Sequence, residues 1–482
     1  MLLKLKLSIC LVLFAVLTHA QKKWSLTECV QFAMDSNVSI RQSKIQGQVA
    51  AINYKESRLS LIPTLNSSNS VGYRFGKSQN PSTGILENQN YFQIGLQLQS
   101  STTIFNFFSK RNTILANEWS LQAANAATDK LKNDIGLQVA NAYLQVLLDV
   151  QQEQVAAVQV QQSTAQLDIT RKQVTAGALP ELNAVELESQ LANDSATFIS
   201  AEGNVTQAKY VLKSYMGLDA AAPFEIEEPP VDQIPVEAIA DLQPDYVYEL
   251  ALKNQPQQQY NLFNLRAAQK SSLAARGALY PSITAFGSLG TNYGFYRTPI
   301  YQEIVTGYTP TGLVVSDGMG GYSNVLQPIL QNGAKSGYSS SPGLGTQFSN
   351  NFGQTIGVGL SIPLFNGWQS KASYERSKLN IQSLEDQITL DNQTLKQNIF
   401  QAYNAAVVAL EKLNSSKKQV ESSQQSYDFA MKRYTVGMLS TLELITDQNT
   451  LFSAKLQYVS NQFDYVFKMK VLEFYKGNGI KL

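Results

Sequence analysis

An α+β fold, built twice from one set of parts, is what the sequence predicts. The first observation behind this is a set of short stretches with an apolar residue at every second position. Two runs of about seventy residues without a proline are the second, each about 105 Å long if fully helical. The third is a spacing of 260 residues at which motifs recur.

The chain opens with MLLKLKLSICLVLFAVLTHA, in which Lys4 and Lys6 precede an apolar run from Leu7 to Leu17 and a Thr18-His19-Ala20 exit. This predicts an export signal, too short in its apolar part to span a membrane, with the mature chain starting at Gln21. Cys10 follows bulky Ile9 inside the run and reads as signal core rather than a lipidation site. Loss of residues 1–20 removes His19, the sole histidine, and leaves Cys29 as the one thiol, so no intrachain disulfide is expected. Zinc sites and histidine-based catalysis lose their usual groups. Without Lys4 and Lys6 the charge is 36 basic against 37 acidic residues, which calls for no nucleic-acid partner. Charged residues make up 16% of the chain, below the roughly 25% of soluble domains. No later stretch has about 18 continuous apolar residues.

A helix of about 37 residues is expected over 25–61, started by a Ser25–Glu28 capping box and stopped at Pro63; its counterpart is 245–280, stopped at Pro281. Strands follow at 65–75 with 91–100, and at 282–293 with 354–362. Long helices then run between Asn106 and Gly177 and between Asn366 and Gly437, and a final helix of about 36 residues follows each glycine. RLSLIPTLNSS (58–68) resembles RGALYPSITAF (276–286) at an offset of 218. VANAYLQ (139) and IFQAYNA (399), VTAGAL (174) and YTVGML (434), and Tyr215-Met-Gly217 and Tyr475-Lys-Gly477 all lie 260 apart. A constant offset of this kind signals duplication, with an insertion in the second copy within 296–350. The boundaries are a signal at 1–20, a first repeat at 21–216, a connector with five prolines at 217–244, and a second repeat at 245–482.

In the strands, Phe92, Ile94, Leu96 and Leu98 alternate with Gln93, Gly95, Gln97 and Gln99, and Ile356, Val358, Leu360 and Ile362 alternate with small residues. Such alternation suits a transmembrane barrel strand or a sheet on a soluble core. Tyr73, Phe75, Tyr91, Phe92, Tyr293, Phe295, Tyr296 and Phe352 near the strand ends resemble an interfacial girdle. Four strands cannot close a barrel, and an open sheet in lipid leaves unpaired edges. Either the sheet lies outside a membrane or several chains each contribute four strands. In the second long helix, Ile381, Leu384, Ile388, Leu395, Ile399, Tyr403, Ala406, Leu410 and Leu413 recur at threes and fours, with a slip of register near Ile399. Abundant Gln, Asn, Ser and Ala fit helices packed sideways in a hollow wall, or a solid bundle.

The doubled order of strand, Pro-Leu-Phe-Asn-Gly, long helix and Tyr-x-x-Gly turn resembles the TolC family of outer-membrane efflux proteins. The resemblance is carried by IPLFNG (362–367), KRYTVGMLSTLELI (432–445) and the repeat, and covers essentially the whole mature chain. It implies an α+β membrane protein in the outer membrane of a Gram-negative bacterium: a homotrimer whose twelve strands form one barrel in outer-membrane lipid. Twelve helical rods would continue it as a periplasmic tunnel. Pro363, Asn366 and Gly367 would make the barrel-to-tunnel turn. Gly177, Gly437 and Tyr434 would lie at the periplasmic tip, which in the family docks a periplasmic adaptor (membrane fusion protein) and an inner-membrane transporter and opens to release small molecules or proteins. Glu443 matches the first acidic position of the family's constriction; the second falls on Thr446, beside Asp447. Glu443 also completes a capping box with Ser440, which predicts a glutamate there whatever the gate.

Other signals are weak. Gly333-Ala334-Lys335-Ser336 lacks the glycine that a phosphate loop places before its lysine. Residues 296–350 read as a long exposed loop at the outer mouth, Arg74 and Arg297 as solvated mouth residues, and Cys29 as a small buried apolar residue. No cofactor, metal or catalytic constellation is expected. The competing readings are a periplasmic coiled-coil scaffold or adaptor without a barrel, and, behind it, a secreted enzyme.

Overall fold

A computed structural model describes residues 23–79, 86–88, 90–231, 234–295 and 297–477; the expected signal peptide, Gln21 and Tyr296 lie outside them. In the first half the order is β1 (Lys23–Trp24), α1 (Leu26–Ser36), α2 (Val38–Leu59), β2 (Thr64–Arg74), the small hairpin β3 (Lys77–Gln79) and β4 (Leu86–Asn88), β5 (Tyr91–Phe105), α3 (Ser109–Thr175) and α4 (Glu181–Met216). After β6 (Glu225–Ile226) in the connector come α5 (Pro244–Asn254), α6 (Pro256–Gly277), β7 (Ser282–Phe295), β8 (Arg297–Ser316), β9 (Tyr322–Ser340), α7 (Leu344–Asn350), β10 (Gly353–Ser361), α8 (Gln369–Thr435) and α9 (Thr441–Lys476). Helix lengths match in pairs: α1 and α5 have 11 residues, α2 and α6 22, α3 and α8 67, α4 and α9 36.

The chain divides into two compact units: one holds residues up to Lys55, Thr113–Ser272 and those from Glu375, the other Glu56–Asn112 and Leu273–Tyr374. The first unit is helical, with the β1–β6 pair at its connector. Its largest core gathers Leu26, Cys29 and Ile40 with Val139, Tyr143 and Val146 of α3, Leu212 and Met216 of α4, and Ile226. A smaller core joins Leu242, Val247 and Ala251 to Ile399 and Ala406 of α8 and Met469 and Leu472 of α9. No helix among the described residues is long and apolar enough to cross a membrane.

The structure corrects the expectation of one 37-residue helix at the head of each copy. Each is two helices, broken at Asn37 and at Gln255. Asn37 is extended (ψ 129°), and its Oδ1 accepts the Ser39 N–H at 2.8 Å, starting α2 as a side-chain cap. Gln255 precedes Pro256, which disfavours helical backbone at that residue. Both breaks receive the end of another helix. Asn37 Nδ2 donates to the Tyr215 carbonyl (2.9 Å), and Gln255 Nε2 to those of Phe474 (2.9 Å) and Tyr475 (3.1 Å). These amides satisfy carbonyls that the last turns of α4 and α9 leave unpaired.

The second unit holds an antiparallel sheet in the order β10-β7-β5-β2. Its register puts Val71, Ile94 and Tyr293 in one row and Leu98 and Leu289 in another, on the face where β10 presents Ile356, Val358 and Leu360, 64–93% exposed. The opposite face carries Ser70, Gly95 and Asn292 in one row and Gly72, Gln93 and Gly294 in the next. Residues 297–340, expected as loop, form a two-stranded ribbon of β8 and β9 with four register shifts. Gly333 to Ser336 lie within β9, an extended strand that lacks the loop-to-helix geometry a phosphate cradle needs.

Candidate channel surfaces and helical tip

The sheet presents two chemically different faces. Tyr73, Phe92 and Phe295 share a row on the apolar side; Tyr73 also lies 6.1 Å from Phe75, and Phe92 6.5 Å from Tyr293 (ring centroids). These rings cluster at the end of the sheet away from the strand–helix turns. Tyr91 departs from them. As neighbour of Phe92 it points to the opposite face and is buried (7% exposed). Arg74 closes the last rung of β2 and β5, and Arg297 pairs with Ser340 at the base of the ribbon.

At the other end, Pro363, Asn366 and Gly367 lie between β10 and α8. Gly367 has φ +63° with open space around the position of a Cβ, so backbone conformation alone calls for glycine there. Asn366 Nδ2 donates to Ser370 Oγ at 2.6 Å in the first turn of α8. Trp368 follows with φ +66°. The turn between β5 and α3 does the same with bulkier residues: Phe107 (φ 47°) stands 260 positions before Gly367, and Phe108 (φ 62°) before Trp368. Left-handed backbone at non-glycine residues costs on the order of 1–3 kcal/mol each. Ring packing holds it here, with Phe107 stacked on Tyr280 at 4.7 Å and Phe105 5.7 Å from Phe108. Sequence reasoning passed over Phe107 and Phe108; their offset from Gly367 and Trp368 was the available signal.

In the helical unit the α3–α4 and α8–α9 turns have one geometry. Gly177 and Gly437 both have φ +74°. The Gly177 N–H donates to Val174 O and Ala178 N–H to Gln173 O; Gly437 N–H donates to Tyr434 O and Met438 N–H to Arg433 O. These are paired 5→2 and 6→1 bonds that satisfy the last carbonyls of a helix. The two turns are fastened together. Tyr434, 6% exposed, has its hydroxyl 3.1 Å from Thr170 Oγ1 and 3.5 Å from Thr441 Oγ1, and Asn183 Nδ2 donates to Thr441 Oγ1 at 2.7 Å. Thr170, Thr441 and Asn183 were not singled out in the sequence; nothing in their spacing marks them.

Glu443 completes the capping box: Ser440 Oγ accepts the Glu443 N–H (3.2 Å), and Glu443 Oε2 accepts the Ser440 N–H (3.2 Å) and hydroxyl (3.0 Å). The Ser440 backbone N–H, then its hydroxyl, hold the Glu443 carboxyl below its ordinary pKa. Asp447, one turn on, accepts from Ser426 Oγ of α8 at 3.2 Å. Glu443 is exposed and Asp447 is half-buried. Further along, a buried polar seam was also not foreseen. Asp194 of α4 accepts from Ser163 Oγ and, at 2.8 Å, from Gln190 Nε2, while Gln448 Nε2 of α9 donates to Ser163 Oγ at 3.1 Å. Cys29 has no exposed surface, and burial, ahead of the nearby Glu28 charge, pushes its thiol up to about 12. It is a packing residue.

The chain thus joins a sheet with one apolar and one amide-rich face, through left-handed turns, to helices about 100 Å long. The chain belongs to the outer membrane efflux protein family, whose signature it matches over residues 29–218 and 324–472. It is similar to the outer membrane protein TolC of Salmonella enteritidis, 22% identical over 468 residues covering 96% of this chain and 83% of that one. TolC of Escherichia coli strain K12 is also 22% identical, over 94% of this chain and 81% of its own. In fold the chain is similar to the outer membrane protein VceC of Vibrio cholerae (TM-score 0.73, 15% identity, 95% of this chain and 97% of that one). The protein is thus an efflux channel of the outer membrane, from a family of channels rather than enzymes. The reading as a periplasmic scaffold without a barrel is set aside by this membership.

Proposed function

We propose that three copies of this chain close one twelve-stranded barrel in the outer membrane and conduct solutes exported from the periplasm. The observation that carries this is the pair of free edges, β10 and β2, bounding a four-stranded sheet with an apolar face. Such a sheet is not tolerated in lipid until its edges pair. Residues 21–216 and 245–482 act as two copies of one unit, joined by 217–244, with 1–20 as export signal and 296–350 outside the cell. The apolar face meets lipid, and Pro363, Asn366 and Gly367 mark its periplasmic limit.

The helices form the tunnel wall. Gly177, Gly437 and Tyr434 form its tip, where a periplasmic adaptor and inner-membrane transporter dock. Glu443 and Asp447 place carboxylates beside the opening. The matched helix lengths and the identical tip turns support this reading. Mass measurement on the native protein in detergent tests it, with three copies expected. A stable monomer soluble without detergent overturns it.

A further inference from the structure

Strand β10 pairs with β7 only from Gly353, opposite Gly290, so the last residues of β7 extend beyond it. The α7 segment takes its place there. Gln347, 7% exposed, accepts the Gly294 N–H on Oε1 (2.9 Å) and donates Nε2 to the Gly294 carbonyl (2.9 Å) and to Pro342 O (2.7 Å). Asn351 Nδ2 donates to Asn292 O (2.8 Å), and Thr291 Oγ1 to Phe348 O (2.9 Å). One glutamine therefore reproduces both bonds of a strand rung, and a short helix is fixed rigidly to the sheet end farthest from the strand–helix turns.

The segment also overhangs the polar face. Ser70, Gly95 and Asn292 are register partners, and Gln93 and Gly294 form the next row of the same face. Between those rows and Pro342, Gln347, Asn350 and Asn351 lies a cavity of about 570 Å³ in which every lining residue is uncharged. Four strands with their polar face inward would place this shelf in the lumen, once per copy.

We propose that residues 342–351 form a second constriction of the channel, at the outer end of the barrel. Its Asn, Gln and Ser groups sort solutes by size and hydrogen bonding and leave charge discrimination to other parts of the duct. The proposal rests on the barrel reading above.

The test is Asn350→Cys in the full-length channel in planar bilayers, treated with methanethiosulfonate reagents bearing a positive or a negative group. Cys29, with no exposed surface, supplies no competing thiol. Both reagents should cause a stepwise loss of single-channel conductance, and they should shift the reversal potential in a salt gradient in opposite directions. Ile356→Cys, at a position 93% exposed on the apolar face, should conduct as before under the same reagents. Complete labelling of the thiol introduced by Asn350→Cys, verified by mass, with conductance and reversal potential unchanged overturns the proposal alone. So does failure of the reagents to reach that thiol in a conducting channel. If the unmodified protein forms no channel, the barrel reading fails and takes this proposal with it.

Discussion

Gly477 and Gly437 are both left-handed, at φ +89° and +74°, yet their surroundings differ. A Cβ on Gly477 would overlap Asn254 Cβ, whereas one on Gly437 would meet nothing within 4 Å. Gly437→Ala should therefore cost only the backbone penalty of about 1–2 kcal/mol. Gly477→Ala should cost more, because the α9 end must also withdraw from the α5–α6 break. Thermal unfolding of both variants in detergent checks the order. Glu443 needs a different measurement, since the observed cap and the proposed gate share one carboxylate. With its folded pKa depressed, the cap's contribution is complete above the unfolded value of about 4.3 and is lost as pH falls through the lower folded value. Gln keeps the acceptor and removes the charge. Glu443→Gln combined with Asp447→Asn should weaken cation selectivity in planar bilayers with little change in unfolding temperature at about pH 7. Unchanged selectivity would leave Glu443 as a cap and Asp447 as the partner of Ser426.

Among the elements, the connector is held to α9 by buried charge. Lys470, 3% exposed, donates to Pro235 O (2.6 Å) and Glu473 Oε2 (2.8 Å), and Glu473 Oε1 accepts the Glu237 N–H (3.0 Å). Removing one partner strands the other charge, so Lys470→Met should destabilise by about 3–5 kcal/mol. Lys470→Met with Glu473→Leu should recover much of that loss. A double-mutant cycle by denaturant unfolding decides, and equal losses in single and double variants would mean that the backbone contacts matter more than the pair. The long helices were legible because 67 residues without a proline leave little alternative. The breaks at Asn37 and Gln255 were not read, although Pro256 announced one of them; Asn37 is a polar residue like many others until Tyr215 is seen beside it.

For the whole molecule, the ribbon of β8 and β9 makes the clearest topological prediction. Its tip, Asp317–Gly321, is exposed around Met319 (96%), with Gly318 and Gly320 left-handed. Protease added outside intact cells should cut there and spare the helices. Cleavage only after the outer membrane is opened would invert the assigned orientation.

The sequence by itself determined the period-two strands, the long helices, the turn glycines and the 260-residue spacing, because each is a local pattern written in side-chain alternation, proline and backbone freedom. Tertiary structure alone decided that Tyr91 turns to the polar face, that Phe107 and Phe108 take a glycine's backbone, and that Thr170, Thr441 and Asn183 fasten the α3–α4 turn to the α8–α9 turn. It also decided that 297–340 pairs as a ribbon and that Gln347 stands in for a strand. Each of these depends on a partner far along the chain, and hydrogen bonding and ring packing at such range leave no periodic trace in the residues that make them.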